Sequence, residues 1–238
     1  MPHPVYWITG ASGALGSAIA EHLHEQGAHV VVSGRRRESL PTARERLWPL
    51  PLDVTDASAV DACAASIHTR LGRIDGLVTC TTMPGFGEFI DLTDDTWLQV
   101  FDTKLMGSIR PARAVIPRMI EQGQGSIVMI SGRGGSVPPP RHLPGACANA
   151  ALNLLAQGLA TQYGRHGVRV NTVAPGPIAS PRLEQMKAGV ATATSALGGP
   201  GTPGNVAAAV AFLLGEAAAH VTGVCLPVDG GRVGEAPN

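Results

Sequence analysis

Aromatic residues are scarce, with Phe, Trp and Tyr together making up 4% of the 238 residues. A core with so few large rings must be closed by small side chains in tight contact. The chain supplies them, with 30 glycines and abundant alanine. Net charge is missing too, since 18 Lys and Arg balance 18 Asp and Glu. That balance excludes a general polyanion-binding surface, so neither nucleic acid nor an anionic membrane is an expected partner. No apolar run is long enough to span a bilayer. There are only four cysteines, Cys63, Cys80, Cys147 and Cys225, and no two form a CxxC pair. Scattered free thiols fit a reducing compartment, and the cytoplasm is the expected location. No metal site is expected. Met1-Pro2-His3-Pro4 has no basic stretch and leads straight into an apolar run, so no secretory leader is expected.

What is present is a regular alternation of strand and helix patterns. Val5 to Ile8 reads as a buried strand, and Ala14 to Gln26 as a helix stopped by Gly27. A second strand, His29 to Ser33, precedes the basic run Arg35-Arg36-Arg37. A weak, proline-flanked third strand covers Trp48 to Leu52, and Asp56 is placed to cap a helix running to about Arg70. Further strands are expected at Ile74 to Thr79, Ser126 to Ser131, Val168 to Val173 and Val224 to Val228. A long helix over Thr93 to Ile120 should bend at Pro111 and Pro117, and a small-residue helix should end near Tyr163. Such alternation predicts a single α/β domain: a doubly wound, parallel, seven-stranded sheet of the Rossmann type with helices on both faces. The irregular stretch 180–201 follows a strand's carboxyl end, where ligands enter such sheets, and is a candidate substrate lid.

The first turn reads Thr9-Gly10-Ala11-Ser12-Gly13-Ala14-Leu15-Gly16. It lies between the first strand and first helix, where a dinucleotide's pyrophosphate meets a helix N-terminus. Gly10 permits the tight turn, the small residues Ser12, Gly13 and Ala14 let backbone N–H groups approach phosphate, and Gly16 lets the helix pack closely. Leu15 belongs to the same cradle. A glycine-rich turn gains force from this position in a βαβ unit.

The turn resembles the TGxxx[AG]xG motif of the short-chain dehydrogenase/reductase family. The resemblance runs on through Asp53-Val54, then Arg169-Val170-Asn171-Thr172-Val173-Ala174-Pro175-Gly176, then Val221-Thr222-Gly223 and Val228-Asp229-Gly230-Gly231. It implies cofactor contacts at Asp53, Val54, Pro175, Gly176 and Ile178, besides the first turn. An NAD enzyme usually carries Asp or Glu at the end of the second strand. Here that place is Ser33-Gly34-Arg35-Arg36, with no carboxylate to repel a 2′-phosphate and two guanidinium groups to bind one. NADP is therefore expected over NAD, held by Ser33, Arg35 and Arg36.

The family's chemistry uses a Ser, a Tyr, a Lys four residues after the Tyr, and an Asn on the long preceding helix. In this register the Tyr position is Gly145, the Lys position Asn149, the Ser position Gly132 and the Asn position Lys104. The family's NNAG becomes Thr79-Cys80-Thr81-Thr82. Asn and Lys have thus exchanged places, and Lys104 is expected to pair with Asn149 and supply positive charge there. Hydride transfer to a ketone leaves an alkoxide, so an acid must stand within reach. The nearest replacements are His142, Ser131 and Ser136, with His142 preferred because imidazole titrates near neutrality. Arg133 and Arg141 flank the same loop and could bind an acidic substrate, with a solvated surface as the expected role of each.

Three readings follow. The first is an NADP-dependent oxidoreductase acting on a carbonyl/hydroxyl substrate through a rearranged site, with either a substitute acid or water as proton donor. The second is a non-redox isomerase, dehydratase or cyclase. The third is an inactive homologue serving as cofactor sensor or partner subunit. The resemblance implies a homo-dimer or homo-tetramer built through the two long helices, or a hetero-oligomer with an active relative.

Overall fold

The computed structural model describes residues 3–180, 183 and 195–231. Its elements run β1 (Val5–Thr9), α1 (Ala14–Glu25), β2 (His29–Ser33), β3 (Leu47–Pro49), α2 (Ala57–Leu71), β4 (Gly76–Thr79) and α3 (Asp94–Val100). They continue with α4 (Gly107–Gln122), β5 (Gly125–Ile130), α5 (Leu143–Tyr163), β6 (Val168–Pro175), α6 (Pro203–Leu214) and β7 (Cys225–Val228). The seven strands form one sheet in the order β3-β2-β1-β4-β5-β6-β7, every neighbouring pair parallel. This is the Rossmann-like α/β fold in a single domain.

Period-two alternation divides the apolar residues between two cores. Trp7, Val31, Leu77, Ile127 and Met129 face one side and join residues of α2, α4 and α5. Ile8, Val30, Val32, Val78 and Val128 face the other and join α1 and α6. Small residues let these layers approach. A Cβ on Gly76 would stand 2.8 Å from both Leu214 Cδ2 and Tyr6 Cδ1. Among the described residues no helix is long and apolar enough to cross a membrane.

Several boundaries differ from the sequence pattern. β3 closes at Pro49, yet the chain keeps its register along β2: Leu50 N donates to Val32 O at 2.9 Å and Leu52 N to Gly34 O at 3.0 Å. Pro49 and Pro51 fall at the alternate positions, which an edge strand tolerates because no ladder donor is needed there. β4 starts at Gly76 rather than Ile74, because the Ile74 amide donates to Gln122 Oε1 at 3.0 Å. β6 continues through Ala174 and Pro175, paired with β7. The single long helix is corrected as well. α3 is capped by Thr93, a wider π-helical turn occupies Phe101–Met106, and α4 then runs through both Pro111 and Pro117. The irregularity sits at Lys104, where π turns commonly mark function. Asp56 caps α2 as the pattern predicts, its side chain accepting from Ala59 N.

Candidate active site

Strand order reverses between β1 and β4, and the carboxyl ends there form the ligand-binding crevice of an open α/β sheet. Gly10 has φ +72°, and a Cβ on it would overlap Cys80 O and lie 2.9 Å from Thr81 N. The turn is thereby pressed onto the end of β4. A Cβ on Gly16 would overlap Gly10 O and stand 2.8 Å from Ala11 Cα. Gly13 caps α1 without any side-chain hydrogen bond, and Ser12, Gly13 and Ala14 are exposed, with Leu15 half-buried behind them. Apart from Gly16, whose amide meets the Cys80 thiol, the first-turn N–H groups have no side chain answering them among the described residues, and the helix N-terminus favours an anion.

Beside this turn lies a cavity of about 450 Å³ lined by Ser12, Arg35, Arg36 and Ser39. Arg35 and Arg36 are exposed, and Arg36 stands 3.9 Å from the equally exposed Glu38. Arg37 turns away and donates to Pro49 O at 3.1 Å. Ser33 requires correction. Its hydroxyl accepts from Trp7 Nε1 at 3.0 Å inside the core, and its carbonyl accepts from Ala11 N at 3.0 Å. It braces the turn and has no hydroxyl to give a ligand. Ser39, which the sequence pattern did not single out, lines the cavity beside Ser12, with its hydroxyl donating to Arg36 O at 2.7 Å.

Asp53 Oδ1 accepts from Thr55 N at 3.0 Å and Thr55 Oγ1 at 2.8 Å, on an exposed turn. Val54 is buried, and a Cβ on Gly107 would stand 2.7 Å from its Cγ2. Gly176 N donates to Val228 O at 3.0 Å, beside Pro175 at the end of β6. Ile178 bridges Gly201, with Ala179 N donating to Gly201 O at 2.8 Å. The base of the expected lid is thus closed as a stem, while residues 181–182 and 184–194 lie outside the described residues.

Across the crevice, Lys104 is buried in the π turn, 7% exposed, and does not snorkel to solvent. Its ammonium donates to Ser131 O at 3.1 Å and Ile130 O at 3.4 Å, at the end of β5. Burial pushes the Cys80 thiol up to about 11, against the lowering effect of the Lys104 charge. The expected direct pairing with Asn149 does not form. Asn149 is buried, and among the described residues its Oδ1 has no hydrogen-bond partner, so the ammonium does not reach it. The carboxamide instead sits under the glycines of the following loop. A Cβ on Gly132 would meet its Nδ2 at 2.9 Å, and one on Gly135 its Cβ at 2.9 Å. Ser131 is also corrected as a candidate acid, because its hydroxyl donates to Val173 O at 3.2 Å between β5 and β6.

Arg133 is not a solvated surface residue. Its guanidinium is largely buried in an ion pair with Asp229, which ties the loop after β5 to the turn after β7. Sequence spacing offered no signal for this pairing, since the partners lie 96 residues apart. Arg141 pairs with Glu88 at 3.1 Å on the surface, as expected of it.

His142 precedes α5, with Pro144 in the first turn. Its Nδ1 is 3.0 Å from Gly85 O, and its ring stacks on Phe86 with centroids 4.2 Å apart. Because a carbonyl only accepts, Nδ1 carries the proton in this bond. Gly87 N donates to Arg141 O at 3.1 Å and holds the two loops together. Gly85 and Phe86 were not legible as partners, because 57 residues separate Gly85 from His142.

Comparison with known proteins agrees with this fold. A family model described as enoyl-(acyl carrier protein) reductase matches residues 10–232. The short-chain reductase protein NovJ of Streptomyces niveus is 32% identical, over 96% of this chain and 93% of that protein. The 2-(S)-hydroxypropyl-CoM dehydrogenase 3 of Xanthobacter autotrophicus is 30% identical, covering 97% of each. Among solved structures, an actinorhodin polyketide ketoreductase variant with NADPH superposes with TM-score 0.90 at 30% identity, covering 96% of each chain. An NAD+-bound xylitol dehydrogenase superposes with TM-score 0.90 at 27% identity, over 96% of this chain and 98% of that one.

Proposed function

Because the chain belongs to the short-chain dehydrogenase/reductase family, we propose that it is an NADP(H)-dependent oxidoreductase that interconverts a carbonyl and a hydroxyl group through a rearranged active site. The observation that carries the cofactor choice is the cavity lined by Ser12, Arg35, Arg36 and Ser39, with no carboxylate among its residues. An Arg fork matches a phosphate in geometry and charge, and a 2′-phosphate placed there meets guanidinium, hydroxyl and a helix N-terminus together. The turn Gly10 to Gly16 would hold the pyrophosphate, and Asp53 and Val54 would face the adenine. Pro175, Gly176 and Ile178 would flank the nicotinamide. The bound dinucleotide supplies or accepts the hydride. The protein orients the substrate, shields it from water and moves the proton.

Calorimetric titration with NADPH and NADH tests this. The wild type should bind NADPH far more tightly than NADH. Arg35→Glu replaces a charge-assisted hydrogen bond to the phosphate with a repulsion. It should weaken NADPH binding by on the order of 10²-fold and leave NADH binding within a few-fold. Equal weakening for both dinucleotides would refute the assignment of Arg35. Failure to bind either would favour the non-redox enzyme or the partner-subunit reading. The scattered free thiols fit a cytoplasmic setting. Exposed Leu98 and Leu154, on α3 and α5, support assembly as a homo-oligomer through these helices, checked by light scattering in solution.

A further inference from the structure

The family's acid position holds Gly145, and a glycine there leaves the space at the root of a phenol ring open to another group. The structure fills it with His142. A Cβ on Gly145 would overlap the imidazole Nε2 and Cε1 outright and stand 2.9 Å from Cδ2. Even alanine at 145 is therefore excluded while His142 holds this place. The ring is positioned from both sides, by the bond from Nδ1 to Gly85 O at 3.0 Å and by the stack on Phe86 at 4.2 Å. Gly85 is itself confined, since a Cβ on it would stand 2.7 Å from Val100 Cγ2. Nδ1 is bonded to a carbonyl, and of the ring atoms Nε2 lies nearest the missing side chain.

We infer that His142 is the proton donor of the rearranged site, acting from the root of the space that a tyrosine at position 145 would occupy. The inference rests on the oxidoreductase reading. A phenol would carry its hydroxyl a ring's length beyond this point, and one water spans such a gap by accepting from Nε2 and donating to the substrate oxygen. In the reductive direction NADPH would supply a hydride to the substrate carbonyl carbon and be oxidised to NADP+. The π pair of the C=O bond moves to oxygen. That oxygen takes a proton from the bridging water, and the water takes one from Nε2 of the imidazolium. His142 ends neutral, still bonded to Gly85 O through Nδ1, and is reprotonated from solvent. The oxidative direction is the reverse.

The test uses the full chain with NADPH and a panel of ketones and aldehydes, following NADPH absorbance in a single turnover. His142→Gln keeps an N–H for Gly85 O but has no proton to transfer. It should bind NADPH within about two-fold of wild type and reduce the carbonyl 10²–10⁴-fold more slowly, roughly the range for removal of a general acid. In His142→Gly, added imidazole should restore turnover, while thiazole, a ring of the same shape but poor basicity, should not. Nitrogen NMR of the wild type should show Nδ1 protonated and Nε2 bare when the ring is neutral. Full activity in His142→Gln, equal rescue by the two rings, or the opposite tautomer would each overturn the inference while leaving the oxidoreductase reading intact. If the wild type binds NADPH but reduces no carbonyl, the reading falls and the inference with it.

Discussion

Arg169 closes the far end of the molecule, and its replacement offers a direct measure of how that end is held. The guanidinium, half-buried at the start of β6, donates to Leu213 O at 2.7 Å, Leu214 O at 3.1 Å, Gly215 O at 3.2 Å and Val221 O at 3.4 Å. Leu213, Leu214 and Gly215 end α6, whose last carbonyls have no intrahelical donor and carry the negative end of the helix dipole. Burial lowers the Arg169 pKa, with the nearby Tyr6 opposing that shift, but an arginine so bonded stays charged. Arg169→Leu keeps the apolar stem and removes the guanidinium donors, while Ser126 Oγ still donates to Leu213 O and Asn171 Nδ2 to Val221 O, each at 3.0 Å. A hydrogen bond to a charged group contributes about 1.5–3 kcal/mol net, but one fork shared among four carbonyls does not deliver four full bonds, and water reaches part of this site. A net destabilisation of about 3 kcal/mol follows, roughly two good bonds. For a domain of this size that lowers Tm by about 6–12 °C. Urea unfolding followed by circular dichroism should show a lower midpoint with an unchanged slope. Arg169→Lys should recover less than half, since a compact ammonium cannot span the fork. NADPH affinity should stay put, because Arg169 lies at the opposite end of β6 from Pro175. A midpoint within error of wild type would refute the reasoning and make the four hydrogen bonds surface decoration.

Two further outcomes probe other links. Asp56→Ala should lower Tm at neutral pH and have no effect in strong acid, because the Ala59 amide and the Ser58 hydroxyl lower the Asp56 pKa in the folded state. The cap's contribution is present above the unfolded pKa and is lost as pH falls through the folded one, so melting curves at about pH 7 and about pH 2 give the sign. Asn149→Leu should raise the stability of the cofactor-free protein by about 1 kcal/mol, since it removes a buried oxygen that has no donor among the described residues. The same variant should bind NADPH more weakly if a ligand hydroxyl normally answers that oxygen, and calorimetry beside a thermal melt reads both.

Sequence alone determined the sheet and its cradle because both are written in short-range pattern. Period-two strands alternating with helices leave a doubly wound parallel sheet as the natural solution, and Gly10 and Gly16 sit where only a missing Cβ permits the turn. The register of the resemblance, which sets Gly145, Asn149, Gly132 and Lys104 at the family's Tyr, Lys, Ser and Asn positions, was likewise read from neighbouring motifs. The tertiary structure decided where these side chains sit and what they bond. Whether Lys104 would meet Asn149 depended on side-chain reach across the crevice, and the ammonium took the nearer carbonyls of Ile130 and Ser131. Ser33 and Ser131 look like ligand groups in the sequence, yet the core claimed one hydroxyl through Trp7 and β6 the other through Val173. The ion pair of Arg133 with Asp229 and the seat of His142 over Gly145 join segments far apart in the chain or brought together by a loop's path. No local periodicity encodes such pairings, because they arise only when packed elements bring distant backbones within hydrogen-bond reach.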